Sequence, residues 1–409
     1  MQISAQVAGL GTEAALEVLA KTRRLEAAGR KIIHLEVGEP NFPTPPHIVE
    51  AGIAALRDGH TKYVPAAGLP DLRVAIADTA RLHGIPAGPA NVIVTSGAKP
   101  MLFYALLALL EPGDEALVPD PGFPTYESLV RFAGARPVPY RVDPYHARPV
   151  DPAELAEAIT GRTRVLVLNS PHNPTGVVLD ERTVAALAEL AVRHDLQVVS
   201  DEVYGRITYG RPHISIASRP GMPERTAVVD GFSKTYCMTG WRLGYGIMPE
   251  PLARRIERFV MNSTTCAPGF VQQAGLAALI GSQECVTAMC GELESRRVFL
   301  AGALRAASIA CAVPDGAFYL FPRVADILHS LGLTAQEYTE WLLEEHGLAC
   351  VPGTAFGAGG EGSLRLSFAV SRRSLLDAVP AFGSTGTVRG RPHGIVFRPR
   401  LPEADNDPV

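Results

Sequence analysis

The sequence predicts an α/β protein: a mostly parallel sheet sandwiched by helices, joined to a smaller α+β domain assembled from the two chain ends. Three observations predict it. Short apolar runs alternate with helical patterns over most of the chain, the sign of a parallel sheet covered on both faces. After "WRLGYGIM" the pattern turns mostly helical, over roughly 250–308. From about 310 a shorter mixed region follows, with strand and helix patterns of its own.

The elements run in order. "NVIVTSG" (91–97) reads as a strand, and "AKPMLFYALLALLEPGD" as an apolar helix closed by Pro-Gly. "EALVP" precedes the helix "TYESLVRFAG", and "ARPVPYRV" precedes "DPAELAEAI". "TRVLVLNSP" leads to "DERTVAALAELAVRHD", and "LQVVSDE" follows directly. "RTAVVDGF" reads as a buried strand and "WRLGYGIM" as another. Beyond the helical stretch come "PDGAFYLFPRV", the helix "AQEYTEWLLEEHG" and the strand "SLRLSFAV". We therefore expect an N-terminal arm and part of the small domain over 1–45, a large domain over 46–308 and a small domain over 309–382. The remaining 383–409, rich in Gly, Pro and charge, reads as a tail without secondary structure.

The composition narrows the function classes. The 409 residues are 47% hydrophobic and 20% charged, an ordinary globular balance, and the length suits two domains or one large domain with a lobe. A net charge of −4 without long runs of one sign argues against nucleic acid or an anionic membrane as a partner. Cysteines at 237, 266, 285, 290, 311 and 350 form no CxxC pair and no zinc spacing, so no metal is expected and a reducing compartment is. The N-terminus shows no basic region followed by an apolar core, and no run approaches the roughly 20 residues of a membrane span. A cytoplasmic protein is the expectation.

Five segments put polar groups at strand ends. "VIVTSGAK" closes a strand with Gly97, Ala98 and Lys99 as a helix begins, where exposed N–H groups and the helix dipole favour an anion. "VLVLNSPHNPTG" carries Asn173 on a Pro-rich turn. "LQVVSDEVYGRITY" places Asp201 after an apolar strand, with Tyr204 three residues on. "DGFSKTYCMTGWRLGY" sets Ser233, Lys234 and Arg242 beside two apolar strands, and "SLRLSFA" embeds Arg365 in a third. Each has a plain structural alternative: Asn173 could shape a turn, Asp201 could cap a helix starting at Glu202, and the lysines and Arg242 could reach out to solvent. Arg365 resists one, because a guanidinium between Leu364 and Leu366 must find a partner or an open cleft.

Taken together, the set suits pyridoxal 5'-phosphate. A phosphate wants backbone N–H groups, a hydroxyl and an arginine; a protonated pyridine nitrogen wants a carboxylate; an aldehyde wants an amine; a ring oxygen wants amide and phenol donors. With those residues in view, the chain resembles the class I/II, fold type I aminotransferases over about residues 10–382. "GFSKTYCMTGWRLGY" is similar to the family's lysine signature, with Cys237 where Ala or another very small residue is usual. "LEVGEPNFPTP", "KYVPAAGLPDLR", "PGFPTYESL", "NSPHNPTG", "DEVYGRITY" and "LRLSFA" resemble family blocks in the family's order.

The resemblance implies roles. Lys234 becomes the Schiff-base lysine and proton shuttle, and Asp201 faces the pyridine nitrogen. Tyr204 and Asn173 address the 3'-oxygen, and Phe123 stacks on the ring. The Gly97–Ala98–Lys99 backbone, Ser233 and Arg242 take the phosphate. Tyr63 reaches the phosphate of a neighbouring subunit, implying a homodimer with shared sites. Arg365, helped by the Gly38 backbone, clamps the substrate α-carboxylate. The implied reaction passes an amino group from an L-amino acid to a 2-oxo acid in ping-pong order. "TSGAKP" resembles the segment whose lysine binds the distal carboxylate in the bacterial aspartate/prephenate subgroup, so Lys99 points to an aspartate- or glutamate-like donor, with Pro100 replacing the usual Gln. Aromatic or neutral donors remain open, as do lyases and synthases on the same scaffold. A transcription regulator with this domain would need a DNA-binding region, for which the stretch before "LGTEAALEVLA" leaves no room.

Overall fold

The computed structural model describes residue 7, residues 10–11 and 14–383, and the pairs 387–388 and 391–392. The chain divides into two compact units, one comprising 1–12, 39–291 and 314–317, the other 13–38, 292–313 and 318–409. The strands in chain order are β1 (Ile33–His34), β2 (Val92–Thr95), β3 (Glu115–Asp120), β4 (Arg136–Arg141), β5 (Thr163–Asn169), β6 (Gln197–Asp201), β7 (Thr226–Gly231), β8 (Gly244–Ile247), β9 (Tyr319–Leu320), β10 (Leu348–Ala349), β11 (Val351–Pro352), β12 (Leu364–Ser367), β13 (Thr387–Val388) and β14 (Arg391–Pro392).

In the first unit, seven described strands form one sheet in the order β2-β8-β7-β6-β5-β3-β4. All neighbours run parallel except those of β8, which is antiparallel to both β2 and β7. Strands β2, β5 and β6 are buried almost throughout, because helices cover both faces of the sheet. Each covering helix shows its cause in sequence. Helix Glu181–Arg193 starts at Asp180, whose side chain accepts from the Thr183 amide, and buries Val184, Leu187, Leu190 and Ala191 at helical spacing. Helix Pro46–Arg57 opens on proline, whose missing N–H costs nothing in a first turn. Helix Ala98–Leu109 is apolar nearly all round and packs in the cluster formed with β3, β5, β6 and β7.

At the amino ends of β3 and β5, Glu115 is wholly buried and holds the sheet together. It accepts from Arg136 at 2.7 Å, Arg162 at 2.8 Å and Thr160 at 2.7 Å, and these bonds, Arg136's first, hold its carboxyl down at about 2.

In the second unit, β9 and β11 flank β12 antiparallel, and β1 pairs parallel with β10. Helix Ala335–His346 is capped by Thr334 and Glu337 in a reciprocal box and ends at Gly347 in the left-handed region. Most of the stretch expected to be a structureless tail lies outside the described residues. Its described pieces correct that expectation locally: β13 and β14 pair antiparallel. Two residues separate them in sequence, the commonest hairpin spacing, which outweighs the Gly and charge content there.

Candidate active site

Strand register brings the singled-out residues of the first unit to one edge of the sheet. Asn169 at the end of β5 pairs with Asp201 at the end of β6, and Asp201 pairs with Val229 in β7. Gly231 at the end of β7 faces Gly244 in β8, which in turn faces Thr95 at the end of β2. These are the carboxyl ends of the parallel strands, where open α/β sheets bind ligands.

Lys234 sits on the four-residue helical turn Phe232–Thr235 that follows β7 directly. The chain can turn there because small residues let three segments meet. A Cβ on Gly231 would lie 3.1 Å from the Gly244 Cα, and one on Gly244 would strike the Gly97 and Ala98 backbone. The loop then returns to β8 through Cys237 and Arg242, both in the left-handed region at φ 54° and 58°. The Cys237 carbonyl accepts from the Thr44 hydroxyl at 2.7 Å, and its sulfur lies 3.4 Å from the Met289 sulfur. Burial pushes this thiol up to about 12, so almost no thiolate forms at neutral pH and the residue is a packing element.

Asp201 is 4% exposed. Its Oδ2 accepts from the Tyr126 hydroxyl at 2.6 Å and its Oδ1 from the Val203 amide at 3.3 Å. Burial raises it to about 6, against the pull of the Tyr126 and Val203 bonds and of the Lys234 charge. No helix begins at Glu202, so the capping alternative does not apply. Glu202 instead accepts from the Ser200 and Ser215 hydroxyls at 2.8 and 2.7 Å and pairs with His213 at 2.9 Å. Burial works to raise Glu202, and these partners more than offset it, keeping the carboxyl below its ordinary value.

Asn173 is buried, and its amide N–H donates to the Asn169 Oδ1 at 2.8 Å; the Asn169 side chain also donates to the Asp201 carbonyl at 3.0 Å. One amide thus fixes the two turns carrying Asn173 and Asp201. Tyr204 is buried three residues beyond Asp201. Phe123 follows β3, with the Lys99 ammonium 5.4 Å from its ring centre and the Tyr126 ring edge-on at 5.6 Å. Gly97, at φ 96°, precedes helix Ala98–Leu109, and a Cβ there would lie 2.9 Å from the Arg242 guanidinium carbon. Ser233 is half-buried beside Lys234, and Tyr63 is 86% exposed.

In the second unit, Arg365 on β12 is 3% exposed, its guanidinium carbon 4.6 Å from the Tyr319 ring and 4.9 Å from the Phe356 ring. Its Nη2 donates to the Glu36 carbonyl at 2.5 Å. Gly38 lies close against Tyr319, so a Cβ there would push on the Tyr319 hydroxyl.

The first unit's residues fit pyridoxal phosphate on two observations. The Arg242 guanidinium stands where a Gly97 side chain would be, at the start of a long helix, which makes a cradle for a phosphate. Asp201 is a buried carboxyl that burial raises to about 6, a strain on its negative charge that a cationic ring nitrogen would relieve. Sequence reasoning missed Tyr126 and Asn169. Asn169 ends the strand in "VLVLNSP" and was a readable signal; Tyr126 lies within a helix and carried none.

Fold and site define the class: an α/β protein with its polar groups gathered at the carboxyl ends of one sheet. The particular family follows from likeness. The pattern of the family described as aminotransferase class I and II matches residues 30–382, and the chain belongs to that family. It is 39% identical over 392 residues to an aspartate aminotransferase of Musicola paradisiaca, covering 94% of this chain and 96% of that one. It is 39% identical to aromatic-amino-acid aminotransferase 2 of Thermococcus litoralis, covering 85% and 90%. The solved structure of the Thermus thermophilus aspartate aminotransferase with maleate superposes with a TM-score of 0.89 at 38% identity, covering 93% of this chain and 99% of that one. Among the described residues no helix is long and apolar enough to cross a membrane.

Proposed function

We propose that this aminotransferase uses pyridoxal 5'-phosphate held by the first unit, and that aspartate or glutamate is its amino donor and a 2-oxo acid its acceptor. The observation that carries the reading is Asp201: a carboxyl buried at a strand end, aligned in register with Asn169 and followed one strand over by Lys234. Bound cofactor supplies an aldehyde that takes up an amine and a ring that accepts the electron pair left when a proton departs.

The chain's own residues do the rest. With the cofactor bound, Lys234 would hold its aldehyde, and its amine would be the group that takes a proton from the substrate Cα and gives it back. Asp201, fixed by Tyr126, would favour a positive charge on the ring nitrogen, Asn173 and Tyr204 would serve the 3'-oxygen, and Phe123 would hold the ring. Arg242, Ser233 and the Gly97–Ala98–Lys99 backbone anchor the phosphate. Arg365 and the Gly38 backbone grip the α-carboxylate, and Lys99 reads a second carboxylate. A homodimer, with Tyr63 reaching the partner's phosphate, and a cytoplasmic location complete the reading; the high exposure of Tyr63 agrees with such a reach.

An aromatic donor is the second reading, favoured by the likeness to the Thermococcus litoralis aromatic enzyme and by the Lys99 ammonium set against the Phe123 ring. Titrating the purified enzyme's cofactor spectrum with a panel of amino acids separates the two. Conversion to the pyridoxamine form with aspartate and glutamate, weakened in Lys99→Ala far more than conversion with phenylalanine, supports the first reading. Equal weakening for both donor types removes Lys99 from specificity. Keto acid and ammonia appearing without an acceptor would replace transamination by a lyase activity.

A further inference from the structure

We propose that the ion pair of His34 and Glu36 is a positioning device for Arg365, setting how tightly that arginine grips a substrate carboxylate. The inference rests on the reading of Arg365 as the α-carboxylate clamp. Ile33 and His34 pair with β10, and the chain then passes the end of β12, which carries Arg365. The Leu35 amide donates to the Ala349 carbonyl at 2.9 Å, and the Ser367 amide donates to the Leu35 carbonyl at 2.8 Å. The next carbonyl, that of Glu36, receives the Arg365 Nη2 at 2.5 Å. Two residues further on, Gly38 lies against Tyr319, one of the two rings that sandwich the guanidinium. One short segment therefore bonds Arg365 directly and lies against a ring that packs on it.

What fixes that segment is a buried carboxylate. The Glu36 side chain is 0% exposed; its Oε1 takes a hydrogen bond from the His34 Nδ1 at 2.8 Å, and its Oε2 has no partner among the described residues. The other His34 nitrogen donates to the Glu26 carboxylate, on helix Ala14–Ala27, at 3.0 Å. The charged groups around the pair are Glu26 from that helix and Arg365 from β12. The Cys350 thiol lies between β10 and β11; burial raises it and the Glu36 charge raises it further. The Glu36 side chain thus has one hydrogen-bond partner, His34, among the described residues. If that bond is lost, a fully buried polar side chain is left without a partner, and the movement that finds it one shifts the carbonyl that holds Arg365.

The hydrogen bond from His34 to Glu36 raises the imidazole most, burial opposes it, and the net position is about 9. A raised group gives its full support below its ordinary value of 6.5 and loses it as pH climbs through about 9. Carboxylate binding should follow the same course.

The test is the binding of maleate, a non-reacting dicarboxylate, to the cofactor-loaded enzyme by calorimetry, with kcat and KM measured alongside. His34→Gln and Glu36→Gln should each weaken maleate about ten-fold near neutral pH, the loss of about one charge-assisted hydrogen bond's hold. KM should rise in step, with kcat nearly unchanged. The parent Kd should rise through about pH 9 and that of His34→Gln should not. Arg365→Lys is the control for the underlying reading. Weak maleate binding in Arg365→Lys together with parental binding in both pair variants overturns the positioning role alone. Unchanged binding in Arg365→Lys overturns the clamp and the inference with it. If the pair variants do not fold, a parent Kd that stays flat from about pH 7 to about pH 10 also overturns it.

Discussion

Tyr126→Phe removes one hydroxyl and keeps the ring, and that hydroxyl makes the shortest bond to Asp201, at 2.6 Å. A hydrogen bond to an ionised group contributes about 1.5–3 kcal/mol, and about 1.4 kcal/mol moves a titration by one pH unit. Asp201 already stands at about 6 because it is buried. Without Tyr126 it should move to about 7–8, so that at neutral pH the ionised fraction falls from about nine-tenths to between about one-tenth and one-half. The sign for stability follows. A carboxyl raised above its ordinary 3.8 makes the folded protein bind protons more strongly than the unfolded chain, so the cofactor-free protein loses stability as pH rises from 3.8 to about 6. In the variant that loss continues upward to about 7–8. Two assays read this: denaturant unfolding of the cofactor-free protein across pH, and its affinity for added pyridoxal phosphate. The variant should bind the cofactor about two- to ten-fold more weakly than the parent at neutral pH and recover most of that at about pH 9. A parent and variant with superimposable pH profiles would refute the claim that Tyr126 controls the Asp201 charge.

Two further outcomes follow from the same geometry. Gly97→Ala places a methyl against Arg242 at a φ of 96°, so cofactor affinity should drop about ten-fold and stability by about 1–2 kcal/mol; cofactor titration and thermal unfolding of the cofactor-free protein check both. Glu115→Gln should cost about 1–3 kcal/mol at neutral pH with donor specificity unchanged, since it weakens the bonds to Arg136 and Arg162 far from the strand ends that carry the site. Because Glu115 is held down at about 2, its support is complete above 4.5 and fades as pH falls toward 2, so urea unfolding should show parent and variant converging in acid.

Much of the site was legible because its residues follow apolar runs: Lys234 after "TAVVDG", Asp201 in "VVSD" and Asn173 after "VLVLN" each sit where a strand must end. Family blocks then supplied roles that spacing alone left open. What sequence could not give was which ends are neighbours. The sheet order β2-β8-β7-β6-β5-β3-β4 departs from chain order, so Tyr126 meets Asp201 across 75 residues with no local sign. The same holds for Glu36 and Arg365, 329 residues apart: Arg365 could be read as needing a partner, and nothing in the sequence named a backbone carbonyl. Cys237 stood out as a departure from the family, and its physical setting, a left-handed turn with a raised thiol beside Met289, needed coordinates.

The central claim is that Lys234 carries the cofactor. Reducing the cofactor-loaded enzyme with borohydride and mapping its peptides by mass tests that without relying on turnover. The account predicts the added mass of reduced pyridoxal phosphate on the peptide containing Lys234, and its absence after Lys234→Ala. Label on another lysine such as Lys99, or no stable label on an enzyme that still transaminates, would contradict it.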